Sequence, residues 1–210
     1  MSTRDRSPHL ILASASPRRR QILTGLGIAF ESVVPDVQEI TEGVPEEVVL
    51  ENARRKAAVG LQAAGRGTLV LGVDTEVLLG GRLLGKPADR DQARERLEAL
   101  AGRAHTVLSG VVLYGGSDPG GAPVERSGVA HSEVTFRDLD RETLETYLSS
   151  GEWRDRAGAY AIQGLGSILV ERVEGDFSNV VGLPVRLLLE LAPELLEPVG
   201  DPAPGLRPNH

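Results

Sequence analysis

The chain has 210 residues, a formal net charge of -7 and a pI of about 5.2, with 40% hydrophobic and 25% charged residues. These are globular values, long enough for one large domain or two lobes on a shared core. The acidic balance and 3% aromatic content argue against a general nucleic-acid surface, and the absence of cysteine excludes disulfides, thiolate metal sites and thiol nucleophiles.

Met1 to Pro8 are polar, and residues 1–9 are expected to be disordered ahead of a single domain over 10–197. The apolar run Leu10 to Ala13 is too short for a signal peptide, and no stretch nears the roughly 18 apolar residues of a membrane span. The expectation is a soluble, cytoplasmic protein with no membrane partner. Leu10–Ser14 predicts a buried strand, ending in small residues. Ser16-Pro17 opens a helix from Arg18 to Leu26 that Gly27 stops. Phe30–Val34 predicts a second strand. Pro45–Ala64 predicts a long helix with Val49, Ala53, Lys56, Gly60 and Ala64 on one face.

Thr68–Gly80 predicts a strand, and the Gly80-Gly81 turn returns it through Arg82–Leu84. Asp89–Ala101 predicts a helix with Ala93, Leu97, Leu100 and Ala101 inward. Two long strands are expected at Thr106–Tyr114 and Gly128–Phe136, joined by an exposed loop from Gly115 to Pro123. Asp140 caps a short helix through Leu148. Gly166–Val173 and Phe177–Val181 are read as strands and Pro184–Leu191 as the last helix. The proline-rich tail Pro198–His210 is expected to fray. Interleaved strands and helices predict an α/β fold, a mixed sheet flanked by helices.

Four places carry chemistry. Ser14-Ala15-Ser16-Pro17-Arg18-Arg19 puts two arginines in the first turn of a helix. Cations oppose the dipole there, and a bound anion would resolve the conflict. Gly72-Val73-Asp74-Thr75 sets an aspartate inside an apolar strand, where a carboxylate needs a partner or a metal. Glu76 shares its sheet face and is read as an exposed strand residue rather than a second metal-shell carboxylate. Of the 23 basic residues, only Lys56 and Lys86 are lysines. Lys86 sits in Gly85-Lys86-Pro87, a rigid presentation suited to phosphate, and Lys56 lies on an inward helix face. The acids Glu39, Glu42, Glu46 and Glu47 precede the long helix and could include one metal ligand, which their pattern does not single out. The four histidines have no metal spacing and are given no catalytic role.

These blocks, with Asn52 to Ala57, Ala157-Gly158-Ala159-Tyr160-Ala161-Ile162-Gln163-Gly164 and Asn179-Val180-Val181-Gly182-Leu183-Pro184, occur in order over nearly all of Leu10 to Leu191. Together they resemble the Maf family of nucleoside triphosphate pyrophosphatases. The resemblance implies an elongated twisted sheet, two lobes with a central cleft related to the inosine triphosphatase architecture, and a divalent cation, Mg²⁺ or Mn²⁺. It implies water attack at the α-phosphorus of a nucleoside triphosphate and release of pyrophosphate, as house-cleaning enzymes do. Asp74 matches the catalytic aspartate and, with Glu39, the metal-holding positions. Ser14, Arg18, Arg19, Lys56 and Lys86 match phosphate-contacting positions, and Thr75 and Gln163 match the dTTP/UTP branch. Arg156 stands where that branch often has lysine, and Glu76 where apolar residues are frequent. A homodimer is suggested by the resemblance alone. Two rival readings are a purine-directed pyrophosphatase and a nucleotide-binding regulator of septum formation.

Overall fold

Leu10, Ile11, Leu12 and Ala13 are all buried and form strand β1 (Leu10–Ala13). Leu10 and Leu12 enter one core and Ile11 another, so the strand is apolar on both faces, as an interior parallel strand must be. The computed structural model describes residues 10–65, 68–115 and 124–196. The segment before Leu10, the loop tip after Gly115 and the tail expected from Pro198 lie outside the described residues.

Strand β1 pairs in parallel with β2 (Phe30–Val33) on one side and β3 (Leu69–Leu79) on the other. Gly80 and Gly81 both take positive φ, and the chain returns as β4 (Arg82–Leu83) against β3. Strands β5 (Ala104–Gly115), β6 (Val124–Phe136) and β7 (Val170–Gly175) follow antiparallel. Among the described residues this gives one mixed seven-stranded sheet of order β2-β1-β3-β5-β6-β7, with β4 on β3.

The helices are α1 (Pro17–Gly25), α2 (Pro45–Ala63), α3 (Arg90–Leu100), α4 (Arg141–Ser150), α5 (Phe177–Val181) and α6 (Val185–Leu191). Asp89 and Asp140 cap α3 and α4 by accepting the N–H groups of Gln92 and Thr143. Two expected strands differ. Residues 164–169 form a 3-10 turn, and β7 starts only at Val170. Phe177–Val181 is helical because Asp176 accepts the Ser178 N–H and starts the turn, which Gly182 ends.

Two features of this frame make a cleft. Strand β1 stops at Ala13, opposite Gly72, so the β3 edge from Val73 to Val77 has no strand beside it before β4 pairs at Leu78. A crevice beyond the carboxyl end of a parallel strand is where α/β sheets bind ligands. Strands β3 and β5 also join two ends of the molecule. Val73 and Val111 pack with Leu12 and Leu183, whereas Val77 and Val107 pack with Leu97, Tyr147 and Trp153.

Helix α2 lies directly on the sheet because two glycines let it. A Cβ on Gly72 would overlap the carbonyl of Ala53 and lie 2.7 Å from the Ala57 nitrogen. A Cβ on Gly110, the cross-strand partner of Asp74, would overlap the carbonyl of Val49 and lie 2.7 Å from the Leu50 nitrogen. This close approach brings the Asn52 and Lys56 face of α2 against Asp74.

Candidate active site

Asp74 projects from the middle of β3 and is only 4% exposed. Its Oδ1 lies 2.5 Å from the Lys56 Nζ, and its Oδ2 accepts the Asn52 Nδ2 at 3.1 Å. Lys56 is itself buried and donates its second contact to Glu39 Oε1 at 2.6 Å. One ammonium is thus shared by two carboxylates. Burial pushes the Glu39 carboxyl up. The hydrogen bond and charge of Lys56 outweigh that, helped by Lys86 and Arg19, and hold it below the usual carboxylate range. Asn52 and Lys56 stand four residues apart on one helix face, so both reach the same strand.

Asn52 does more than touch Asp74. Its amide accepts the Ile40 N–H at 2.8 Å and donates to the Ile40 carbonyl at 2.9 Å. The segment carrying Glu39 is therefore pinned to α2 by the same side chain that orients Asp74. No sequence feature marked Asn52 for this role beyond its place in the Asn52 to Ala57 block.

The open β3 edge is closed from the other side by Arg19. This buried guanidinium donates to the carbonyls of Val73 and Gly182, to Ser14 Oγ and to Thr75 Oγ1. The expected anion-binding arginine is bonded to the chain itself, so it brings charge to the cleft while holding the cleft's shape. Burial lowers its pKa, and Asp74 and Glu39 oppose that shift. Thr75 Oγ1 shares a hydrogen bond with Ser109 at 2.9 Å, which fixes the hydroxyl that meets Arg19.

Arg18 is different. Its Nε donates to the Val181 carbonyl at 3.0 Å, but its Nη1 is buried without a partner. Burial, Arg156 and Arg19 bring its pKa down to about 10. Arg156 faces the same cleft, and its Nε is likewise buried and unpartnered. Asp155 and Ala159 on either side of it hold positive φ values of 56° and 63°, a strained path for non-glycine residues. The sequence reading placed Arg156 by resemblance but did not include it in the site.

These walls enclose a cleft of about 640 Å³. Ser14, Arg18, Arg19, Glu39, Lys56, Asp74, Thr75 and Lys86 all line it, with Arg154 and Arg156 added. Gln163 does not line it: it is exposed and precedes the 3-10 turn at Gly164. Glu76 is a correction. It is half-buried, not exposed, and its Oε2 accepts the Gly85 N–H at 3.1 Å. Burial, then Asp74 and Glu39, push its carboxyl up to about 7.

The lining sets six cationic side chains against the acids Glu39, Asp74 and Asp155. In a chain of net charge -7 this is a local reversal of sign, the signature of a site for a polyanion.

A dTTP/UTP pyrophosphatase of Anaeromyxobacter dehalogenans is 46% identical over 96% of this chain and 100% of its own length. That of Deinococcus radiodurans is 43% identical over 88% of this chain and 92% of its own. A solved dITP/XTP pyrophosphatase of Mycobacterium abscessus superimposes at a TM-score of 0.39 and 18% identity, over 62% of this chain and 75% of that one, too loosely to argue from. The family model described as Maf-like protein matches residues 9–195, and the chain belongs to the Maf family.

Proposed function

We propose that this chain hydrolyses dTTP and UTP to the nucleoside monophosphate and pyrophosphate, by attack of water at the α-phosphorus. The observation that carries the reading is the cationic cleft built around one buried, immobilised carboxylate, Asp74. The names of the relatives that match over nearly their whole length support the same substrates.

Hydrolysis of a phosphoanhydride is limited by charge and alignment more than by covalent help. Arg18, Arg156 and Lys86 offer donors to phosphate oxygens. Arg19 and Lys56 add positive potential from fixed positions in the wall. Asn52 and Lys56 hold Asp74 in one rotamer, so the oxygen that receives a proton or a ligand is placed before substrate arrives.

The residues present fit a divalent cation. Glu39 and Asp74 converge on the Lys56 nitrogen and both line the cleft, so the pair would hold a divalent cation on its cleft side, beside that ammonium and not in its place. Among the described residues no cluster of three acidic, histidine or cysteine side chains gathers. Two carboxylates would suffice for Mg²⁺ or Mn²⁺ if phosphate oxygens and water completed the shell. Such an ion would neutralise phosphate charge and acidify water.

The test is a nucleotide panel with separate readouts of pyrophosphate and orthophosphate, with and without EDTA. Pyrophosphate from dTTP and UTP, abolished by EDTA, is expected. Orthophosphate as the first product would overturn the reaction. Preference for inosine or xanthosine triphosphate would move the substrate to purines, and stable binding without turnover would favour a regulator.

A further inference from the structure

Gly85 is held from both sides. Its N–H donates to Glu76 Oε2 at 3.1 Å. Its carbonyl accepts Arg96 Nη1 at 2.7 Å and the Gly158 N–H at 2.8 Å. That carbonyl belongs to the peptide bearing the Lys86 nitrogen, so the grip acts one bond from Lys86. Gly85 has φ 60°, the left-handed region that glycine adopts without a Cβ penalty. The two grips act on adjacent peptides, Glu76 on the N–H side of Gly85 and Arg96 on its carbonyl side. Lys86 is exposed and lines the cleft; its four side-chain torsions stay free, so the position of its backbone sets how far the ammonium reaches. Through Gly158 the same carbonyl ties this loop to the turn that carries Arg156.

We propose that Glu76 and Arg96 form a clamp on the Gly85 peptides that sets the reach of Lys86 into the cleft, which makes Glu76 a positioning residue for the phosphate grip. The proposal rests on the phosphate-cleft reading above. Nothing in it requires Glu76 to touch substrate or metal. A glutamine at 76 keeps the oxygen that accepts the Gly85 N–H, whereas an alanine does not.

The experiment is a double-mutant cycle with a structural readout. Glu76→Ala should raise KM for dTTP about fivefold with kcat changed less than about twofold. Glu76→Gln should restore wild-type KM. In the Lys86→Ala background, Glu76→Ala should cost almost nothing more, because the residue through which it acts is gone. Hydrogen exchange of the peptide spanning residues 82–88 should speed up in Glu76→Ala and not in Glu76→Gln. Additive losses in the cycle, or failure of Glu76→Gln to rescue, would overturn the clamp and assign Glu76 a direct role beside Asp74. Unchanged exchange in Glu76→Ala would overturn it on its own, even if the wild-type chain hydrolysed no nucleotide. An inactive wild type would instead count against the function proposed above.

Discussion

The two walls of the cleft are finished to different degrees. On the α2 wall every charge is answered: Asp74 by Lys56 and Asn52, and Lys56 by Asp74 and Glu39. On the facing wall, Arg18 Nη1 and Arg156 Nε are buried without partners and their charges repel. Buried donors left unpaired cost free energy, so that wall is complete only when an anion or carbonyl arrives. The contrast separates a wall built to position chemistry from one built to receive a ligand.

The largest effect should come from the finished wall. Asp74→Asn keeps the shape and loses the charge, so it should fold, bind dTTP and lose at least about 10²-fold in kcat. A folded variant with near-normal single-turnover rates would remove Asp74 from the mechanism. Next, Lys56→Met leaves two carboxylates facing each other, one of them buried. Breaking a buried pair this way typically costs roughly 3–5 kcal/mol. A denaturant midpoint unchanged from wild type would mean that the α2 wall tolerates unpaired charge.

The receiving wall should respond with the opposite sign. Arg156→Met removes a buried unpartnered donor and the repulsion on Arg18. We expect stability equal to or above wild type, with KM raised roughly tenfold, or ~1.4 kcal/mol. A large loss of stability would show that Arg156 holds the cleft together. The smallest effect lies beneath this wall, where His105 Nε2 meets the hydroxyl of Tyr160, which lines the cleft. Burial brings the His105 pKa down to about 4 from an ordinary 6.5. A depressed folded-state pKa means that the unfolded chain binds the proton first, so stability falls as pH drops from 6.5 toward 4. Between pH 6.5 and 5.5 this contribution is about 1 kcal/mol. Urea melts of wild type and His105→Gln over that window should differ in slope by this amount; parallel curves would exclude His105 as the group titrating.

Elements with local punctuation were legible in the sequence, and their bonding was not. Ser16-Pro17, Gly80-Gly81 and Gly85-Lys86-Pro87 punctuate the chain locally, so the helix start, the hairpin and the lysine loop were readable. Asp74 was readable because a charge interrupts an apolar strand. Arg19 looked like an anion ligand because its dipole conflict is local, whereas its bonds to Val73 and Gly182 span 54 and 163 residues. Asn52 reaches Ile40 and Asp74 only after α2 has docked. Phe177–Val181 reads as a strand on the strength of Phe177, Val180 and Val181, although Asp176 just before it is a readable helix start.

The glycines under α2 carry a consequence for how this protein tolerates change. Gly72 and Gly110 touch no substrate, yet they determine how far Asn52 and Lys56 stand from Asp74. A single methyl group at either position would lift the helix and open the triad without altering any of its members. Misplacement of reacting groups by about 1 Å can cost 10²-fold in rate. A library selected for inactive but soluble variants should therefore collect alanines at 72 and 110 alongside changes at Asp74, so that sites of lost activity trace the footprint of a helix as well as the outline of a cleft.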